Sequence, residues 1–179
     1  MKRIRKVLKV LLGETKCLGY KIFAHKRIRK TGKVLMSLTS QLQVDKGSKL
    51  VMGNFSTIEA GSFLAAVDGG SLHVGQKVYI NRNCCIVARD AIVLEDGVSI
   101  GPNCCVYDHD HDCNNRGEYI AKPILIKKGA WLGAGCIILK GVIIGENAVV
   151  AAGTVVTKNI PDRTIVYSQT TYKYKKIGD

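Results

Sequence analysis

Hydrophobic positions recur every six residues in the C-terminal half of this chain. From Ile126 to Pro161 it divides into IKKGAW, LGAGCI, ILKGVI, IGENAV, VAAGTV and VTKNIP. The first position is always aliphatic: Ile126, Leu132, Ile138, Ile144, Val150 and Val156. The fifth is small or apolar: Ala130, Cys136, Val142, Ala148, Thr154 and Ile160. Glycine fills the second position at Gly133 and Gly145, and the fourth at Gly129, Gly135, Gly141 and Gly153. A helix repeats its apolar residues every 3.6 positions and a simple strand every 2. A period of six with turn-forming glycines predicts short strands, three to a turn, each pointing one apolar residue inward. The product is an all-β, triangular parallel β-helix.

Upstream the pattern is looser. It begins near Val34, with Val44, Leu50, Ile58 and Leu64 as inward positions and Gly47, Gly53 and Gly61 at turns. A slip near Asp68-Gly69-Gly70 resets the register, which then runs Val74, Ile80, Ile86 and Ile92. After a two-residue insertion it resumes at Leu94, Ile100 and Val106. It stops at residues 108–122, DHDHDCNNRGEYIAK, and restarts at Ile126 after Pro123. A long polar interruption in a regular coil predicts a loop on one face, where sites are often built. The β-helix is thus expected over 34–166, with a tail at 167–179.

Residues 1–33 differ in kind. The chain carries a net charge of +13 from 27 basic and 14 acidic residues. Twelve of the basic residues and one acid, Glu14, lie in 1–33, which leaves the rest close to neutral. Ile4, Val7, Leu8, Leu11 and Leu12 recur at helical spacing between lysines and arginines. Lys9 interrupts any signal-peptide core, and no apolar run is long enough to span a membrane. Two readings stand: an amphipathic helix on an anionic membrane, or a helix packed on its own domain or a neighbouring subunit. Nucleic acid is not an expected partner, since no aromatic residues interleave with these charges. The seven cysteines are odd in number and show no CxxC spacing, as expected of free thiols in a reducing compartment. Cys84, Cys104 and Cys136 fall at the small inward position, where cysteine serves as a small hydrophobe. No metal is expected.

The chemistry concentrates in Asp108-His109-Asp110-His111-Asp112. Histidine accepts protons near neutral pH, and flanking carboxylates orient an imidazole and raise its basicity. In an extended segment His109 and His111 share a face. No GxSxG or P-loop is present, so a base acting directly on a bound acceptor is the simplest chemistry. His25 and His73 are isolated and read as structural.

Hexads opening Ile/Leu/Val-Gly, a histidine-bearing loop, and then WLGAG…ILKGV…AAGTVVTKNIP resemble the hexapeptide-repeat acyltransferases. The chain is most similar to the galactoside, maltose and capsular-sugar O-acetyltransferases, over about residues 70–162. The resemblance implies a left-handed coil, a homotrimer with sites between neighbouring coils, and acetyl-CoA as donor. Aligned without gaps, Val106-Tyr107-Asp108-His109-Asp110-His111-Asp112 puts His111 in the place of the family's catalytic histidine, with His109 as second candidate and Asp112 where the family has proline. Tyr107 and Asp108 join the substrate side of this segment. The family's substrate-side asparagine matches Asn81 in Tyr79-Ile80-Asn81-Arg82-Asn83, with Asn83 beside it. Its acidic pair after the following strand is replaced by Ala88-Arg89. Trp131 matches an aromatic near the site. Ala134, Ala152, Thr157 and Lys158 match the acetyl-CoA contacts. The tail after Pro161 departs from the family's pattern.

The reading is therefore an acetyl-CoA-dependent sugar O-acetyltransferase of surface-polysaccharide assembly, with a sugar, lipid-linked or polymeric glycan as acceptor. It is expected in the cytoplasm, at the inner face of the membrane if the N-terminal helix lies on lipid. The alternatives are N-acetylation of an amino-sugar nucleotide, and a non-catalytic β-helix scaffold.

Overall fold

The structure is a computed structural model that describes residues 27–169. It is a parallel β-helix of about six turns, with the architecture of a left-handed hexapeptide coil. As far as Val155–Val156, and with one antiparallel hairpin set aside, successive strands go to the first, second and third sheet in rotation. The first sheet runs Ile28–Lys30, Lys49–Met52, Ser71–Val74, Ala91–Leu94, Ile124–Ile126 and Ile143–Ile144. The second and third sheets contain seven and six strands. All rungs of these three sheets are parallel and in register, so like residues stack. Leu50 lies on Leu72, Leu72 on Ile92 and Ile92 on Ile124, and all four are 0–1% exposed. Ile58, Ile80, Ile100, Leu132 and Val150 form the second inward column, and Leu64, Ile86, Val106, Ile138 and Val156 the third. Burial of these columns is the main force holding the coil, since each strand is too short to be stable alone.

Turn length explains why the repeat reads cleanly only near the end. Ile126 pairs with Ile144, eighteen residues on, whereas Leu50 pairs with Leu72, twenty-two on, and Leu72 with Ile92, twenty on. The slip near Asp68 is a corner that shrinks. Four residues, 67–70, join the third sheet to the first in one turn, and only Arg89 and Asp90 do so in the next. The coil also starts earlier than Val34: Ile28–Lys30 pairs with Leu50–Met52 as the first rung of the first sheet. The helix expected in the basic segment and the tail beyond residue 169 lie outside the described residues. Among the described residues no helix is long and apolar enough to cross a membrane.

The two glycine positions of the hexad have different causes. Gly135, in the fourth, has φ +67°, the left-handed region that a turn requires. Gly133, in the second, lies under the next coil: a Cβ there would stand 2.6 Å from the backbone nitrogen of Ala152. The inward fifth position is a column of donors. Ser62 Oγ bonds the Asn81 carbonyl at 2.7 Å. The buried thiols repeat the motif at 3.1, 3.0 and 3.2 Å, with Cys84 on Gly101, Cys104 on Gly133 and Cys136 on Ala151. These thiols therefore fasten one turn to the next as well as filling space.

Candidate active site

The interruption at 108–122 leaves the corner between the third and first sheets. Cys105–Tyr107 is the last rung before it, and Ile124–Ile126 resumes the coil. It is not irregular throughout: His109–His111 and Tyr119–Ala121 form an antiparallel hairpin, the only antiparallel pair among the described strands. The alternation predicted for His109 and His111 holds, for both rings meet Tyr119, with centroids 5.6 and 4.6 Å away. Asp110, on the opposite side, pairs with Lys140 of the next turn.

Asp108 anchors the hairpin and is fully buried. Its carboxylate accepts the backbone N–H of Arg89 at 2.9 and 3.1 Å and that of Asp90 at 2.8 Å. Its Oδ1 also lies 2.9 Å from Nδ1 of His109. The shrunken two-residue corner of the preceding turn thus supplies the donors that hold this carboxylate. Because a carboxylate only accepts, Nδ1 carries the hydrogen, which leaves the Nε2 lone pair of His109 available. The His109 side chain is 13% exposed and wedged between Tyr107 and Tyr119, with centroids 6.0 and 5.6 Å away. A carboxylate-oriented, half-enclosed imidazole is the arrangement a general base requires. His111 is exposed and meets the Tyr119 ring. Within the His109–His111 pair, the carboxylate contact and the enclosure are at His109, two residues before the position given by the gap-free alignment.

Tyr107 stands on the outer face of the third sheet. The neighbouring Cys85 thiol, burial and the Cys105 thiol push its ionisation far above the usual phenol value. Two residues that sequence reasoning left out also stand here. Arg89 was noted only as a departure from the acidic pattern, and its guanidinium carbon lies 3.4 Å from the Tyr119 ring centroid. Tyr119 touches both histidines and Arg89, but an isolated tyrosine in a polar loop gives no signal in sequence.

The remaining predicted residues occupy other places on the prism. Asn81 and Asn83 lie at the corner between the second and third sheets. Asn81 turns its Oδ1 to the Arg82 N–H at 2.8 Å. Asn83 sits at φ +58°, where asparagine is tolerated, so the turn accounts for its type. Ala134 and Ala152 stack on that same corner in successive turns, joined by the Gly153 N–H to Ala134 carbonyl bond of 2.8 Å, and both are exposed. Two small residues leave a shelf of open backbone there. Thr157 and Lys158 are exposed at the third–first corner, two turns beyond the histidine loop. Trp131 is on the outer face of the second sheet, 55% exposed, in register with Ser99 and Val149. Apart from Trp131, the predicted residues of one chain therefore fall at or beside two corners separated by the width of the third sheet.

Comparison with known proteins follows the same lines. Residues 123–158 match the bacterial transferase hexapeptide (six repeats) family. The chain is 34% identical over 150 residues to the galactoside O-acetyltransferase of Lactococcus lactis, covering 79% of this chain and 72% of that protein. It is 44% identical over 71 residues to nodulation protein L of Rhizobium leguminosarum, a match that spans only 37% of either chain. Among solved structures it resembles a Vibrio cholerae hexapeptide-repeat acetyltransferase complexed with acetyl coenzyme A, at 26% identity and TM-score 0.51, covering 74% of this chain and 64% of that one. The fold also matches AntD, an N-acyltransferase of Bacillus cereus in complex with dTDP and 3-hydroxybutyryl-CoA. That match has 22% identity and TM-score 0.70, over 86% of this chain and 81% of that one.

Proposed function

This chain belongs to the hexapeptide-repeat acyltransferase family, and we propose that it transfers an acetyl group from acetyl-CoA to a sugar hydroxyl in surface-polysaccharide assembly. The observation that carries the reading is the buried Asp108 carboxylate holding His109 with Nε2 available. His109 takes the proton of the acceptor hydroxyl as that oxygen attacks the thioester carbonyl. The carbon–oxygen bond forms, the carbon–sulfur bond breaks, and the thiolate of CoA leaves with the proton His109 holds. Backbone N–H groups of a neighbouring coil stabilise the oxyanion. Binding both substrates at once supplies the proximity term.

The donor lies along the exposed shelf at Ala134 and Ala152, with Thr157 and Lys158 at the phosphates. A homotrimer reconciles the two corners, since a neighbouring copy sets its second–third corner against this chain's histidine loop. The outer face of the second sheet supports association, because Trp131 and Ile165 expose apolar surface on it at 55% and 66%. Asn81 then meets the acceptor. The cytoplasm supplies acetyl-CoA and keeps the thiols reduced. An amine acceptor, as on an amino-sugar nucleotide, is the second reading, because a neutral amine needs less from the same base. The N-acyltransferase fold match is compatible with it.

The test is release of CoA from acetyl-CoA with matched hydroxy and amino sugars. His109→Ala is expected to cut kcat by about 10²–10⁴ with acetyl-CoA affinity little changed. His111→Ala is expected to cost less. Full activity in His109→Ala with loss in His111→Ala moves the base to His111. Turnover of amines alone replaces the O-acetyl reading with the N-acetyl one.

A further inference from the structure

We infer that the acceptor carries an acidic group and that Arg89 reads it, an inference that rests on the acetyltransfer reading above. Arg89 starts from the same two-residue corner whose N–H groups hold Asp108, so its backbone is fixed relative to the base. Its guanidinium stacks on Tyr119, the ring that also meets both histidines. Stacking sets the plane of a guanidinium without consuming its donors.

The donors are only partly used. Arg89 Nη1 pairs with Asp68, whose side chain is 60% exposed. Nε is shut off from solvent and has no hydrogen-bond partner. That nitrogen is closed to a ligand from solution, so the donors an acceptor can meet are the terminal Nη groups. The exposed pair with Asp68 is of the weak kind, so exchanging that partner for a ligand costs little. A planar cation that can exchange Asp68 for a ligand, held beside the base, fits a carboxylate or phosphate, which its two terminal nitrogens can grip with parallel bonds. Neutral sugar hydroxyls would be better met by carboxylates, and at this position the chain has Arg89 instead. A sugar carboxylate and a sugar phosphate present the same chemistry, and the probes separate them.

The experiment is calorimetric titration of the CoA-saturated full-length protein. The probes are the methyl glycosides of glucuronic and galacturonic acid, glucose and galactose 1-phosphates, and the neutral methyl glucoside and galactoside. At least one acidic probe is expected to bind about 10- to 100-fold tighter than its neutral counterpart. Arg89→Lys, which keeps the charge but loses the fork, and Arg89→Gln are each expected to reduce that ratio tenfold or more. Asp68→Asn removes the internal competitor and is expected to tighten the acidic probe by about two- to fivefold. The inference is overturned if no acidic probe outbinds its neutral partner. It is also overturned if both Arg89 variants keep the ratio, or if Asp68→Asn weakens the acid, which would leave Arg89 as a clamp on the hairpin. In all those cases CoA still binds and the acetyltransfer reading stands; failure of the wild-type protein to bind CoA falls on that reading itself.

Discussion

Asp108 is the residue whose role is most sharply defined. Its carboxylate satisfies two backbone donors and orients one imidazole from a fully buried position. Asp108→Asn keeps the shape but turns an amide N–H₂ toward groups that are themselves donors. It is expected to lower kcat by about 10- to 10²-fold and to cost about 1–3 kcal/mol of stability, with the dissociation constant of acetyl-CoA unchanged. The pH–rate profile, read beside a thermal melt, separates loss of orientation from simple destabilisation. The sequence already showed the chemistry of the Asp-His-Asp-His run, and the shared face of the two histidines followed from strand alternation. What it could not show was which histidine is oriented. That depends on the backbone of Arg89 and Asp90, one turn away, and a two-residue corner with those identities has no signature of its own.

At the scale of the element, the hexads from Ile126 were legible because eighteen-residue turns have three equal sides. The earlier turns were blurred because corners of four residues and then two displace the register without changing which residues point inward. The hairpin inside the interruption was missed, since a pairing of three residues per strand is too short to produce a visible alternation. The column of inward thiols leads to a chemical prediction. Cys104 is drawn down by a bond with Cys136 but pushed up more by Cys84 and by burial, to about 11. Cys84, drawn down by Cys104, is equally enclosed, and Cys104 and burial push up Cys136. Among the described thiols, peptide-resolved alkylation of the folded protein near pH 8 is expected to label exposed Cys113 first. Cys85 and Cys105 should follow slowly, and the buried three only on unfolding. Early labelling of Cys136 would mean that the last turns open locally. Those turns are pinned by Asp162, whose carboxyl is held below its usual range by the Glu146 N–H and by Lys127. A depressed folded-state value means the contact contributes above the unfolded carboxyl value of about 4 and is lost as pH falls through the lower folded one. Exchange protection of the Glu146 amide should fall in that acid range, and Asp162→Asn should abolish the dependence.

The described coil is a prism that carries its proposed chemistry on its edges. Three inward columns of aliphatic residues leave nothing in the interior of the described coil for a substrate, so a site forms on its outer surface. The Asp108–His109 unit stands on one corner and the Ala134–Ala152 shelf on another. The account therefore depends on the shelf holding a donor that the histidine of an adjacent copy can reach. Family motifs in the sequence pointed to each residue, whereas their division between corners became visible only in the coil. The departure of the tail after Pro161 bears on the same shelf. Calorimetric titration of the full-length protein with acetyl-CoA tests this most directly, because it needs no acceptor. The account predicts saturable binding near one site per chain in a trimeric protein, retained in His109→Ala. A folded trimer that takes up no acetyl-CoA would contradict it and leave the coil as a scaffold.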